Sequence, residues 1–316
     1  MSTTTTSTSG LSVKGLAKSY SGGRKSVLVD VHLEVPSGGA FGLIGPNGSG
    51  KTTLMGCLLG LLKADAGVIH IDGMSPEDMR AKAKIGYVPE RIRFEPWMTG
   101  LQVMELHQGL AGVPESPEEL RDLLRKVGLM EQAWERPVRT YSRGMLQRLA
   151  LAQALVGKPS FLFLDEPTSG MDPTGVLDVR RILEEAQAAG MTILLNSHQL
   201  DQVGKICQGV AFLKDGRLEA MSMADAGAGL KHVVRLRFGA KAPKAKDLEP
   251  VLKAVGASLV PGALPEPKFK VEVADDATTS ELVRALAKKG WDLVELAPEQ
   301  DQLERLFLNR TPEGQP

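Results

Sequence analysis

Gly45-Pro-Asn-Gly-Ser-Gly-Lys51-Thr52 narrows what this chain can be more than any other eight residues in it. Glycines at 45, 48 and 50 let backbone N–H groups converge on one point with no Cβ in the way. A strand-like run, Ala40-Phe-Gly-Leu-Ile44, leads in. A helical apolar pattern through Leu54, Leu58, Leu59 and Leu62 leads out and stops before Gly67. A buried strand, a glycine-rich turn and a helix N-terminus together make a cradle for phosphate, because free amides and the helix dipole meet the anion at one place. Gly45, Pro46, Asn47, Gly48, Ser49 and Gly50 are expected to line it. Lys51 is expected to reach the β- and γ-phosphates of a nucleotide, the Thr52 hydroxyl to ligate Mg2+, and Thr53 to touch the α-phosphate.

Phosphate with Mg2+ needs a carboxylate, and Phe161-Leu-Phe-Leu-Asp165-Glu166 supplies two at the end of an apolar strand. Adjacent acids there are costly unless a cation or a reaction uses them. Asp165 is read as the Mg2+ residue, directly or through water, and Glu166 as the general base that polarises an attacking water. The competing reading for Asp165 is a cap on the next turn.

Between these segments the pattern is legible in outline. Leu11–Lys14, Val27–Val29 and Val31–Val35, with Gly22-Gly23 between, read as a twisted antiparallel element. Val68–Gly73 reads as a strand and turn. Ser75-Pro76 reads as a helix start with Ser as N-cap. Residues 91–157 read as mostly helical, with a Thr99-x-x-Gln102 capping box, a helix from Glu118 to Val127 closed by Gly128, and a third from Met145 to Val156. Phe161–Leu164 and Thr192–Leu195 show little alternation, as parallel strands covered on both faces do. The helix between them, about Gly175 to Ala189, makes the core α/β with a parallel sheet.

Composition excludes other classes. Lys+Arg and Asp+Glu both number 38, so the formal net charge is zero and no nucleic-acid footprint is expected. No apolar run reaches the roughly 18 residues that span a bilayer. If the protein acts at a membrane, another chain must supply the channel. The Ser/Thr-rich start, residues 1–10, has no secretory pattern and is expected to be a disordered tail. Cys57 and Cys207 stand in no metal spacing and read as reduced thiols, which fits the cytosol.

Five motifs in order, Gly45–Thr52, Tyr141-Ser-Arg-Gly-Met145, Leu164-Asp-Glu-Pro167, Ser169-Gly-Met-Asp172 and Ser197-His198, resemble the nucleotide-binding subunit of ABC transporters over about residues 11–220. The resemblance implies a P-loop ATPase core with a helical subdomain at about 91–157, the cofactors ATP and Mg2+, and a homodimer packed head to tail on ATP. It implies that Ser142 and Gly144 cap the γ-phosphate held by the other copy, that Asp172 links the two sites, and that His198 senses the γ-phosphate. It places Tyr20 where the family stacks an aromatic on adenine, with core packing as the competing reading. Glu90 stands where the family has a glutamine that reaches Mg2+; the alternative is a surface Glu with no role. The family's usual signature is LSGGQ. Tyr141, Arg143 and Met145 depart from it toward the Y-S-[KR]-G-M form of bacterial exporter ATPases. Leu303-Glu-Arg-Leu-Phe-Leu308 resembles the ending of exporter ATPases of the drug, lipid and polysaccharide type.

The expected function is therefore an ATP-hydrolysing subunit, cytoplasmic and peripheral at the inner face of the membrane, powering export through a separate permease. Residues of about 94–107 would face that permease, and Trp97 and Met98 would either fill its groove or be core. An ATPase acting on ribosomes or DNA and an importer ATPase are the other readings. From about residue 229 the pattern β-α-β-β-α-β reads as a small α+β (ferredoxin-like) accessory domain, expected to pack or dimerise rather than to bind a regulator. Its elements are expected at Val233–Phe238, Asp247–Val255, Ser258–Val260, Phe269–Val273, Thr279–Lys289 and Trp291–Leu296, with a last helix at Asp301–Asn309.

Overall fold

Strands Phe161–Asp165 (β6) and Thr192–Asn196 (β7) are buried at every position, so neither face can meet water. In a computed structural model they lie side by side and parallel in the middle of a six-stranded sheet. The structure describes residues 10–20, 25–198, 200–223, 232–260, 267–274 and 276–298. The expected tail at 1–10 (apart from Gly10), the last helix at 301–309 and the Leu303–Leu308 ending lie outside them. The chain divides into two compact units, Met1–Met223 and Ala224–Pro316.

In the first unit the strands Gly10–Tyr20 (β1), Lys25–Pro36 (β2) and Ala66–Ile71 (β4) form an antiparallel sheet in the order β2-β1-β4. β2 is one strand rather than two pieces, because Asp30 takes a left-handed φ of 53° and absorbs the register shift. Ala40–Ile44 (β3), Ile85–Val88 (β5), β6, β7, Gly209–Lys214 (β8) and Arg217–Ser222 (β9) make the main sheet, ordered β5-β6-β7-β3-β8-β9. All of its pairings are parallel except β8 with β9. That last pair turns on Asp215 and Gly216, at φ 49° and 75°, the two left-handed residues of a tight hairpin. One apolar core joins the antiparallel sheet to Leu54, Met55 and Leu58 and to Phe161, Phe163 and Leu194 of the parallel sheet. Cys57 and Cys207 are buried and unpaired, and burial pushes the Cys207 thiol up to about 12.

The helices differ from expectation at their ends. Lys51–Leu58 (α1) stops four residues early. Gly60 is left-handed at φ 66°, and the N–H groups of Leu61 and Leu62 both turn back to the Gly56 carbonyl at 2.9 Å. The cap expected of Ser75 belongs to Asp78, which starts the four-residue helix Met79–Lys82 (α2). Its carboxylate accepts the Arg80 N–H at 2.8 Å and pairs with the guanidinium at 2.7 Å, more than a hydroxyl can hold. Residues 91–99 contain no helix. Gly100–Ala111 (α3) carries the Thr99–Gln102 capping box, and Pro117–Lys126 (α4) carries a second one from Ser116 and Glu119. The short Glu131–Trp134 (α5) precedes Arg143–Ala154 (α6). Pro173–Ala188 (α7) and Leu200–Ile206 (α8) complete the unit.

In the second unit His232–Phe238 (β10), Ser258–Leu259 (β11), Lys268–Val273 (β12) and Leu293–Pro298 (β13) form an antiparallel sheet ordered β11-β12-β10-β13. With Ala245–Ala254 (α9) and Asp276–Lys288 (α10) this is the ferredoxin-like arrangement. Phe238 packs edge-on against Phe269 and Trp291, with ring centroids 5.8 and 6.4 Å apart.

Candidate functional site

Each glycine of the loop after β3 is required for its own reason. At Gly45 a Cβ would lie 2.1 Å from the Leu213 carbonyl oxygen. At Gly50, φ is 108° and a Cβ would lie 2.9 Å from the Val27 carbonyl oxygen. Gly48, at φ 78°, has open space around it. Gly50 is the N-cap of α1 and offers no side chain to the first-turn amides, which leaves those donors to an anion. Lys51 folds back over the loop, its Nζ donating to the Gly45 carbonyl at 2.8 Å and the Pro46 carbonyl at 3.0 Å. Burial lowers its pKa, against the pull of Glu166 and Asp165. The Ser49 Oγ is buried and has no hydrogen-bond partner.

Asp165 and Glu166 are set by β7. Asp165 stands opposite Asn196 in the parallel register, and Asn196 Nδ2 donates to its Oδ1 at 2.5 Å. Asp165 is 4% exposed, and it faces Asn196 rather than capping a turn. Burial raises its pKa; the Asn196 donor opposes this, Glu90 and Glu166 raise it further, and Lys51 lowers it. Glu166 has a left-handed φ of 53°, a conformation costly for a side-chain-bearing residue and one that aims its carboxylate away from the strand. The Glu166 N–H donates to the Asn196 carbonyl at 2.9 Å. Its carboxylate accepts the His198 N–H at 2.9 Å and lies 2.8 Å from His198 Nδ1, with the Ser197 hydroxyl at 3.5 Å. A carboxylate so oriented can take a proton from a water in front of it.

Asn196 is the residue that sequence reasoning passed over. It grips both acids, one by its side chain and one by its backbone, and its own Oδ1 is buried without a donor. The available signal was a polar residue ending the apolar run Thr192–Leu195, as Asp165 ends Phe161–Leu164.

The other expected residues fall in three places. Ser142 caps α6 by accepting the Met145 N–H at 3.2 Å, and Gly144 sits in that first turn with open space where a Cβ would be. Asp172 caps α7 through the Gly175 N–H at 2.8 Å. Tyr20 ends β1 and is 40% exposed, which removes the core reading; Lys18 Nζ lies 5.8 Å from its ring centroid and pairs with Asp65. Glu90 is exposed just past β5 and acts electrostatically on Asp165. Beyond it, Ile85, Tyr87, Ile92, Phe94 and His107 line a groove of about 320 Å³. Trp97 is 70% exposed, so it is not core.

Among the described residues no group of three or more His, Cys, Asp or Glu is placed to hold a metal ion by itself. A cation here would complete its shell with nucleotide oxygens and water, as Mg2+ prefers. A desolvated Asp165, two orphaned buried polar atoms and uncapped helix amides fit a triphosphate with a divalent cation. Asp165→Asn is expected to stabilise the nucleotide-free chain by about 1 kcal/mol, since an amide there needs no counter-charge and can donate to the orphaned Asn196 Oδ1. The raised folded pKa means the wild type bears its cost above the ordinary carboxylate range and loses it as pH falls through that range. The melting advantage should therefore be present at pH 7 and shrink toward pH 4; a variant melting lower at pH 7 would contradict it.

The same chain matches the model of the family described as ABC transporter over residues 28–169. An uncharacterized ABC transporter ATP-binding protein of Nostoc is 42% identical over 196 residues, 61% of this chain and 58% of the relative. The chain thus spans little more than half the length of that relative. The lantibiotic transport ATP-binding protein SrtF of Streptococcus pyogenes is 38% identical over 66% of this chain and 88% of its own length. The linearmycin resistance ATP-binding protein LnrL of Bacillus subtilis aligns over 95% of this chain and 98% of its own, at 29% identity. Among solved structures, an ATP-binding subunit of an ABC transporter superposes with a TM-score of 0.65 at 28% identity, over 69% of this chain and 92% of that one. A dimeric ATP-binding cassette in a post-hydrolysis state, bound to ADP and Pi, gives 0.62 at 25%, over 67% and 98%. With its phosphate loop, its two strand-end acids and these relatives, the chain belongs to the ATP-binding proteins of ABC transporters and is an ATPase of that family.

Proposed function

We propose that this ATPase pairs head to tail with a second copy on ATP and powers export through a separate membrane chain. Gly45–Gly50 and the α1 amides hold the phosphates, with Lys51 over the β- and γ-phosphates and Thr53 at the α-phosphate. Tyr20 stacks on adenine. Thr52, Asp165 and Glu90 would hold Mg2+, which would neutralise charge on the phosphate oxygens. Glu166 accepts the proton of the water that attacks the γ-phosphorus, and the bond to the ADP oxygen breaks. His198 ties the Glu166 carboxylate to the end of β7, so loss of the γ-phosphate is felt there. Ser142 and Gly144 of the second copy close the site, and Asp172 links the two.

The observation that carries the dimer is the state of Ser142 and Asp172. Ser142 puts a neutral hydroxyl at the start of α6, a helix N-terminus that favours an anion, and Asp172 starts α7 as its cap. The dimeric cassette among the neighbours supports it. Export draws support from the relatives that carry a lantibiotic or a linearmycin-resistance name. The groove beside Glu90 and the exposed Trp97 suit an apolar cytoplasmic segment of the permease. No helix among the described residues is long and apolar enough to cross a membrane. The second unit packs or dimerises. A ribosomal or DNA role is disfavoured by zero net charge.

Cell fractionation tests this reading. The tagged chain is expected in membranes with a polytopic protein that stimulates its ATPase in vesicles. Sedimentation with ribosomes, free of membrane, would remove the transport role.

A further inference from the structure

Arg143 breaks the glycine pattern of the loop in which it sits, and the structure gives it a specific seat. It is the first residue of α6, directly after the Ser142 cap. Gln147 lies four residues on, so both side chains share one face of the helix. That face meets the turn that begins at Glu166. Gln147 Nε2 donates to the Glu166 carbonyl at 3.4 Å, and Arg143 Nη2 donates to Ser169 Oγ at 2.6 Å. The turn itself is closed by the Ser169 N–H donating to the Glu166 carbonyl at 3.1 Å. The next one is closed by the Met171 N–H donating to the Thr168 carbonyl at 3.2 Å. Gly170, at φ 75°, lies under the Arg143 stem: a Cβ there would be 2.3 Å from Arg143 Cδ and 2.5 Å from its Nε. One helix face therefore holds the turn at both ends, and a glycine lies where the arginine crosses it.

We propose that Arg143 is a positioning residue that locks the Glu166–Ser169 turn to the Ser142 loop, so that the Glu166 carboxylate is set by where the start of α6 sits. Glu166 already occupies a strained backbone conformation, and such a conformation persists only while its surroundings over-determine it. The Gln147 and Arg143 bonds to this turn come from outside the main sheet. On the reading that the Ser142 loop meets nucleotide on a second copy, the lock makes closure of that loop and placement of the base a single event. The kinetic arm of the test rests on that reading, and the exchange arm does not.

The test uses Arg143→Ala, Ser169→Ala, the double variant and Arg143→Lys in the full chain. In the nucleotide-free wild type the Ser169 and Met171 amides are hydrogen-bonded, and Arg143→Ala is expected to speed their exchange by about tenfold, with the melting midpoint nearly unchanged. Steady-state turnover is expected to fall about tenfold in kcat for either alanine variant, with KM for ATP within about twofold. The double variant should lose no more than either single one, because both remove the same bond. Arg143→Lys should recover part of kcat, keeping a donor and a stem but not the planar guanidinium. Unchanged exchange in Arg143→Ala, or losses that multiply in the double variant, would overturn the proposal. Faster exchange in a chain whose wild type turns over no ATP would instead fell the hydrolytic reading and leave the lock standing.

Discussion

Glu166→Gln is expected to lower ATP turnover by about 10²–10⁴-fold while leaving nucleotide binding intact, the range that removal of a general base spans. The replacement is nearly isosteric. It keeps an oxygen to accept the His198 N–H, and the neutral imidazole can turn its Nδ1 lone pair toward the new amide donor. The backbone bond from residue 166 to the Asn196 carbonyl is untouched. What goes is the ability to accept a proton, together with the negative charge that acts on Lys51 and Asp165. The phosphate loop keeps its backbone, and Lys51 and Asp165 keep their places, so ATP should still bind, and the proposed dimer should persist because nothing discharges it. Phosphate release in a single turnover, equilibrium binding of a fluorescent ATP analogue, and size-exclusion chromatography with ATP read the three quantities separately. Turnover at the wild-type rate would remove Glu166 from the chemistry. Loss of binding together with turnover would show that the substitution had disturbed the loop after β6.

What the sequence disclosed about this site follows from how far apart the interacting groups lie along the chain. The phosphate loop is a local object: its glycines, its lysine and the helix that follows are contiguous, and their conformations are dictated within eight residues. The Thr99–Gln102 box is local in the same way. Strands β6 and β7 were legible because burial on both faces leaves an unbroken apolar run. Asn196 was not, since its importance comes from a parallel register that places it opposite Asp165, 31 residues earlier. Nor was the seat of Arg143, whose partner Ser169 is 26 residues on. The end of α1 and the cap of α2 were misplaced for a different reason. An apolar pattern runs on through Leu61 and Leu62 although Gly60 has already turned the chain, and a carboxylate at Asp78 outcompetes the nearby Ser75 hydroxyl. The β8–β9 hairpin carried a usable signal, Asp215-Gly216 after an apolar run, that the reading of the sequence did not take up.

Lys51→Met is expected to separate binding from stability, and to do so in opposite directions. In the empty chain the Lys51 ammonium is partly desolvated, with two carbonyl oxygens as its hydrogen-bond partners and the attraction of Glu166 and Asp165 to offset the burial. The lowered pKa says that burial outweighs that attraction. The charged form is therefore a cost to the folded state at neutral pH, present below the folded pKa and gone once pH rises past the ordinary lysine value. Methionine keeps the apolar stem and carries no charge, so the empty variant should melt at or slightly above the wild-type temperature at pH 7. Binding should go the other way. A triphosphate brings several negative charges to a site where Lys51 is the cation of the loop, and losing one preorganised contact to developing charge costs about 10²–10³-fold in kcat. The two effects appear together in one experiment, thermal melting with and without ATP. At 100 times its dissociation constant a ligand stabilises the wild type by about 2.7 kcal/mol, which for a unit of this size is roughly 5–10 °C. The same ATP should scarcely move Lys51→Met. Lys51→Arg should resemble methionine rather than wild type, because a planar fork cannot reproduce a compact ammonium seated on two carbonyls. An ATP-induced shift in Lys51→Met equal to that of the wild type would mean that the lysine closes the loop upon itself and never reaches the phosphates.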